Sequence, residues 1–148
     1  MIRIASERDD GNKRYILSAD LENIIIQDNT ITIAAAAGAV NVTGLVELNA
    51  QTASVRGLSI YGNTMNLVSG NSTVTAQGSM INVRTQFANS LFMMSDTTIA
   101  QNTLNITAGA GKSITANGYA VFVMTGTAQI ENSTIYGNLA DYDEGGTM

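Results

Sequence analysis

The chain has 148 residues, a formal net charge of −5, 45% hydrophobic but only 13% charged residues, and no Cys, His or Pro. It is too apolar for intrinsic disorder and has no basic block of the kind that displaces nucleic-acid counterions. The absent residue types exclude disulfides, thiolate chemistry and imidazole bases or ligands. No basic, apolar leader opens the chain, and no apolar run nears the roughly 20 residues of a membrane span. The expectation is therefore a soluble chain made without a signal peptide and without nucleic-acid partners.

Charge is concentrated at the start. Residues 1–28 hold Arg3, Glu7, Arg8, Asp9, Asp10, Lys13, Arg14, Asp20, Glu22 and Asp28, whereas residues 29–139 hold six charges and the tail adds Asp141, Asp143 and Glu144. The division predicted is a charged attachment region at 1–28, a nearly neutral shaft at 29–139 and an acidic, flexible tail at 140–148. Within the first region, Ile2 and Ile4 and then Tyr15-Ile16-Leu17 read as two strands joined through Asp10-Gly11, a dipeptide suited to a tight turn. This hairpin reads either as the first two strands of the fold or as a docking head.

From Ile24 onward apolar residues recur two apart, the strand period. The strand cores are Ile24–Ile26, Ile31/Ile33, Val40/Val42, Val46/Leu48, Leu58/Ile60 and Met65/Leu67. They continue through Val74/Ala76, Ile81/Val83, Leu91/Met93, Leu104/Ile106, Ile114/Ala116, Val121/Val123, Ile130 and Ile135. Gly57, Gly62-Asn63, Gly70-Asn71, Gly78, Gly118, Gly126 and Gly137-Asn138 punctuate them, and Gly and Asn enter left-handed conformations at low cost. Without Pro, every strand can be bonded on both sides. Ala34–Ala37 is too short for a stable helix and reads as a thin, tightly packed segment.

Two motifs recur. Asn29-Thr30-Ile31-Thr32-Ile33, Asn63-Thr64-Met65-Asn66-Leu67 and Asn102-Thr103-Leu104-Asn105-Ile106 share one pattern; Ser59-Ile60-Tyr61-Gly62-Asn63 and Thr134-Ile135-Tyr136-Gly137-Asn138 share another. Recurrence of this kind is what stacked layers produce. The fold class predicted is all-β, an elongated β-helix or β-prism of short strands.

No catalytic, cofactor-binding or metal-binding residues are predicted. Glu47, Asp96 and Glu131 stand far apart in sequence, and a hydrolytic carboxylate pair needs its members about 5–10 Å apart. Without His, no familiar nucleophile-activating triad can form from the many Ser and Thr residues. Gly109-Ala110-Gly111-Lys112-Ser113 lacks the glycine gap and following helix of a phosphate loop and reads as a turn. Met93-Met94 beside Phe92 reads as core filling. Thr30-Ile31-Thr32, Thr73-Val74-Thr75 and Thr125-Gly126-Thr127 lack the fixed period of an ice-binding lattice. The chain is accordingly read as a non-enzyme.

The shaft, most typically Val40-Asn41-Val42-Thr43-Gly44-Leu45-Val46-Glu47-Leu48-Asn49-Ala50, resembles the trimeric β-helical spikes of phage tails and related injection machines. The resemblance is one of composition and rhythm over about three quarters of the chain. It implies an intertwined homotrimer made in the host cytoplasm and built into the virion. The N-terminal region would attach it to the tail hub or baseplate, and the shaft would point toward the host envelope. Because this sequence has no His for the metal-binding apex that many such spikes carry, its tip would be sealed differently or capped by another protein. Residues 1–28 are also too few for the β-barrel with which many begin. The alternative reading is a single-chain parallel β-solenoid, with coils of roughly 18–22 residues, acting as an adhesin or polymerising scaffold.

Overall fold

The computed structural model describes residues 2–5, 18–77, 80–84, 90–117 and 120–143. Among them every element is a strand and none is a helix. The first turn of chain runs through β1 (Ile2–Ala5), β2 (Ser18–Glu22), β3 (Ile25–Gln27), β4 (Thr30–Ala35) and β5 (Val40–Val42). The second comprises β6 (Val46–Asn49), β7 (Thr52–Arg56), β8 (Ser59–Tyr61), β9 (Thr64–Ser69) and β10 (Val74–Gln77). The third comprises β11 (Ile81–Arg84), β12 (Leu91–Ser95), β13 (Thr98–Ala100), β14 (Thr103–Thr107) and β15 (Ile114–Asn117). A last, partial turn holds β16 (Val121–Met124), β17 (Thr127–Glu131), β18 (Thr134–Tyr136) and β19 (Leu139–Asp143).

Each strand pairs in parallel with the strand five places on. The chain is thus a β-solenoid with five faces: β1-β6-β11-β16, β2-β7-β12-β17, β3-β8-β13-β18, β4-β9-β14-β19 and β5-β10-β15, here faces 1 to 5. The expected return strand at Tyr15–Leu17 lies outside the described residues, and Ile2–Ala5 pairs in parallel with Val46–Asn49. At the other end the stack runs to Asp143, in register with Thr107, past the boundary that charge placed at 139.

The coils are longer than the 18–22 residues expected of a single-chain solenoid. Equivalent asparagines are 34, 39 and 36 residues apart, because a coil holds five strands. With strands about 4.8 Å apart, four layers stand only about 14 Å from first to last, whereas a 34-residue coil is at most about 110 Å around. The chain forms a broad, shallow block instead of the elongated shaft expected.

Inward-facing Val46, Leu48, Val55, Ile60, Leu67, Ile81 and Ile99 have relative exposures of 1% or less. Columns of like residues run through the coils: Ile26 above Ile60, Ile99 and Ile135 on face 3, and Ile31 above Met65, Leu104 and Ala140 on face 4. Stacking buries a continuous apolar interior that no single coil could supply.

The corners between faces 2 and 3 and between faces 3 and 4 always take two residues. The first is left-handed every time. Asn23, Gly57, Asp96 and Asn132 occupy one corner and Asp28, Gly62, Gln101 and Gly137 the other, with φ between +46° and +65°. Glycine follows the first polar side chain in both columns, and alternates throughout the second, for a steric reason. A Cβ at Gly57 would lie 2.6 Å from Asn23 Oδ1 in the coil before, and one at Gly62 would overlap Asp28 Oδ1. The corner N–H groups of Asn23, Asp28, Gly62 and Gln101 donate to carbonyls of the following coil at 2.9–3.1 Å, so the backbone pairing is not interrupted where the chain bends.

The second residue of the corner between faces 3 and 4 is always asparagine: Asn29, Asn63, Asn102 and Asn138. Each of the first three donates from its backbone N–H and from Nδ2 to Oδ1 of the asparagine in the next coil, at 2.9–3.1 Å. Nδ2 of Asn63, Asn102 and Asn138 also donates to the carbonyls of Ile26, Ile60 and Ile99 in the coil before. Asn63 and Asn102 are 2% and 1% exposed, so the ladder supplies these buried polar groups with partners. Asn102→Ala removes the acceptor for two Asn63 donors and should cost at least about 2 kcal/mol, while Asn29→Ala, at an exposed end, should cost under about 1 kcal/mol. Urea denaturation midpoints of the two variants check the difference.

Candidate functional site

Of the carboxylates picked out in the sequence, Glu47 lies on a different face from Asp96 and Glu131. Glu47 is on the outer side of face 1, 8% exposed, and accepts a hydrogen bond from Thr43 Oγ1 at 2.9 Å. Asp96 and Glu131, 35 positions apart in sequence, meet at the corner between faces 2 and 3, where the Asp96 N–H donates to the Glu131 carbonyl at 3.3 Å. Among the described residues no group of three or more His, Cys, Asp or Glu could hold a metal ion. Gly109–Ser113 is a turn between β14 and β15, closed by Lys112 N–H donating to the Gly109 carbonyl at 2.9 Å, with Gly111 at φ +66°. Phe92 and Met94 are core residues on β12, while Met93 faces outward and is half-buried; Phe87 lies outside the described residues.

The three Thr-x-Thr segments lie on or beside faces 4, 5 and 2 and form no common surface. A different set comes together instead. Thr30, Thr64 and Thr103 form one outward column on face 4, and Thr32, Asn66 and Asn105 the next. Asn66 Nδ2 donates to Thr32 Oγ1 at 3.3 Å, and Asn105 Nδ2 donates to Asn66 Oδ1 at 2.8 Å. On face 3, Tyr61, Ala100 and Tyr136 share a column; Ala100 is 0% exposed between the two tyrosines, which are 38% and 50% exposed.

Face 1 differs from the others in being covered on both sides. Val46, Leu48, Ile81 and Val83 point into the core, so Glu47 and Asn82, paired with each other in register, point outward. Yet Asn82 is fully buried, and among the described residues neither its Nδ2 nor its Oδ1 has a hydrogen-bond partner. A buried amide without partners carries a penalty of about 1–3 kcal/mol. Asn82→Leu should therefore raise the free energy of unfolding by about 1 kcal/mol or more, read as a higher urea midpoint. A lower midpoint would mean that the amide is hydrogen-bonded in solution.

The largest departure from a closed core is at the C-terminal end. Ile130 and Ile135 sit in the inward columns of Met94 and Ile99, but they are 52% and 46% exposed, against 1% and 0% one coil earlier. Tyr136, Leu139 and Tyr142 are also 47–58% exposed on the same coil. β17 and β18 are exposed along their whole length. Apolar side chains and strand edges together make a surface suited to adding a further strand layer. Sequence reading identifies Ile130 and Ile135 as strand cores and carries no signal that no further layer among the described residues covers them.

No protein-family description, curated protein or solved structure matches the chain at a significant level. Function is therefore argued from these surfaces alone. Their energetics are testable: Ile99→Ala should cost about 2–5 kcal/mol, whereas Ile135→Ala, in the same column at the open end, should cost less than about 1 kcal/mol. Chemical denaturation of the two variants measures the contrast.

Proposed function

We propose that the chain is a non-catalytic structural module, a single-chain β-solenoid block that acts as a scaffold or adhesive element by joining protein at the half-exposed apolar residues of its last described coil. The carrying observation is the half-exposure of Ile130 and Ile135 in columns whose middle members, Val55 and Met94 and then Ile60 and Ile99, are sealed. Further support comes from the block's shallow shape and from a rigid core that stacks coil on coil. A surface of Thr, Asn and Ser columns on face 4 presents neutral hydrogen-bonding groups without charge repulsion, which suits close packing against other protein.

A narrower form of this reading is the phage-tail component, with three copies attached through residues 1–28 to a tail hub or baseplate. One observation favours lateral association of copies. Ile25, Tyr61, Tyr136 and Leu139 lie on the outer sides of faces 3 and 4 and are 38–68% exposed. Side-by-side packing of three solenoids would bury that strip, whereas end-on docking would not.

Light scattering over a range of concentration tests the assembly reading. A mass above 15.5 kDa that falls back to the monomer when Ile130 and Ile135 are replaced by Lys is the expected result. A fixed mass of three chains, unaffected by those replacements, would favour the lateral trimer. A monodisperse monomer at every concentration would overturn assembly from copies of this chain.

A further inference from the structure

We infer that the outer side of face 3 is a platform for an extended, neutral β-1,4-linked glycan, which lies along the stack across Tyr61 and Tyr136. The inference goes beyond the scaffold reading. It rests on outward residues, which a further strand layer above or below would leave uncovered. Two columns run down this side of the face: Ser59, Thr98 and Thr134 in one, and Tyr61, Ala100 and Tyr136 in the other. None of the four strands of face 3 carries a charged residue. Among the described residues no hydrogen bond engages the hydroxyls of these Ser, Thr and Tyr residues, or the side-chain amide of Gln101 at the adjoining corner.

The two tyrosines supply the stacking surfaces. They are 38% and 50% exposed, and each offers an apolar ring with a polar tip. Ala100 points outward between them yet is 0% exposed, and it is not part of the interior cluster. An outward alanine loses all its surface only to side chains lying across it. Its outward neighbours are the two tyrosines and Gln101, so the patch is level, with no slot between the rings. A pyranose has a flat face of C–H groups that stacks on such a surface, with hydroxyls around its rim. A polyproline helix, with a turn of about 9.3 Å, would also match the ring spacing, but it docks in grooves between aromatic rings. The buried alanine leaves no such groove.

Spacing selects the linkage. Tyr61 and Tyr136 are two strand spacings apart along the stack, about 9.6 Å. That is close to the repeat of an extended β-1,4-linked glycan, in which every second sugar presents the same face. One sugar therefore lies on Tyr61, the next but one on Tyr136, and the inverted sugar between them above Ala100. The column of Ser59, Thr98 and Thr134 runs parallel to the tyrosines two residues away, about 6.8 Å, and offers one hydroxyl per coil to the sugar rims. On the other side Gln101 is exposed at its corner, with Gly62 and Gly137 in the coils before and after it. That leaves its amide room beside the middle sugar. The face has no cation to pair with a uronate or a sulfate, and the chain's net charge is −5, so the platform favours neutral chains over acidic ones.

Isothermal titration with cellohexaose and with the β-1,4-linked hexamer of N-acetylglucosamine tests the platform, with maltohexaose as the α-linked control. At least one β-linked hexamer should bind, and maltohexaose should bind at least about tenfold more weakly. Tyr61→Ala and Tyr136→Ala should each weaken binding roughly tenfold, the loss expected for one aromatic stacking contact. Thermal melts of both variants should match the parent, because the two side chains are exposed. Length gives a second readout, since only a trisaccharide reaches both rings. In the series that binds, the trisaccharide should exceed the disaccharide in affinity, and Tyr136→Ala should erase that difference. No binding of either β-linked hexamer at millimolar concentration, equal binding of maltohexaose, or binding that both alanine variants leave unchanged would overturn the inference. These outcomes do not bear on association through Ile130 and Ile135, which lie in the inward columns and are tested separately. Binding of decaproline but of neither hexamer would also overturn it, and would assign the rings to a protein partner. So would a trimer that Tyr61→Ala reduces to the monomer with no sugar bound, which would make the patch the lateral interface.

Discussion

A parallel stack of short strands has one overriding requirement: each coil must meet the next in a single register, over every face at once. A strand alone does not enforce this, since a slip of two residues restores the same inward and outward faces. Here the corner between faces 3 and 4 removes that freedom. An asparagine held inside the bend bonds to its counterpart in the next coil through both backbone and side chain. It also bonds to a carbonyl in the coil before, and any slip would leave its amide buried without partners. The left-handed residue preceding it fixes where the bend falls. The apolar columns can then be built from interchangeable Ile, Leu, Met and Val, because the polar corner has already decided which residue lies above which.

The same arrangement separates stability from function. Interior coils are covered above and below and behave as one core, as expected of repeat architectures in which stability is a sum of nearest-neighbour contacts. The first and last coils continue the inward apolar columns but, among the described residues, lack one neighbour. A residue such as Ile135 is therefore a core residue by type and a surface residue by position. The scaffold reading follows from that mismatch. Nothing special in the chemistry of the last coil is needed, only the fact that it has no successor among the described residues.

Much of this was legible in the sequence. The period-two apolar pattern identified most strands, and the recurring Asn-Thr-apolar motif marks what the structure shows to be equivalent positions of successive coils. Glycines 57, 62 and 137 were readable as corners. Four strands escaped notice, among them β2, whose inward Ala19 and Leu21 lie just past the return strand expected at Tyr15–Leu17. β7 and β13 carry few large apolar residues, since Ala53 and Ala100 fill space beside Val55 and Ile99, and β19 was masked by its aspartates. β12 was read one residue out of phase, because Leu91-Phe92-Met93-Met94 is apolar throughout and only packing reveals that Phe92 and Met94 turn inward. The left-handed corners at Asn23, Asp28, Asp96, Gln101 and Asn132 gave no signal comparable to glycine. Repeats at 34, 39 and 36 residues looked irregular because coil length varies where the pattern has no motif. The open end could not be read at all, since it depends on the order of layers and not on local chemistry.

That variation in coil length is not spread evenly. The corners from face 2 to 3 and from face 3 to 4 take two residues in every coil, and those from face 5 to 1 take three. Between faces 1 and 2, by contrast, residues 6–17, 50–51, 85–90 and 125–126 bridge the gap, a range from two residues to twelve. One edge of the block therefore takes connections of two to twelve residues, while the corners on either side of face 3 hold to two. Such an edge is a natural graft point. Peptides or whole domains inserted there would be displayed in a row, one per coil at intervals of about 4.8 Å, with the corners beside face 3 undisturbed.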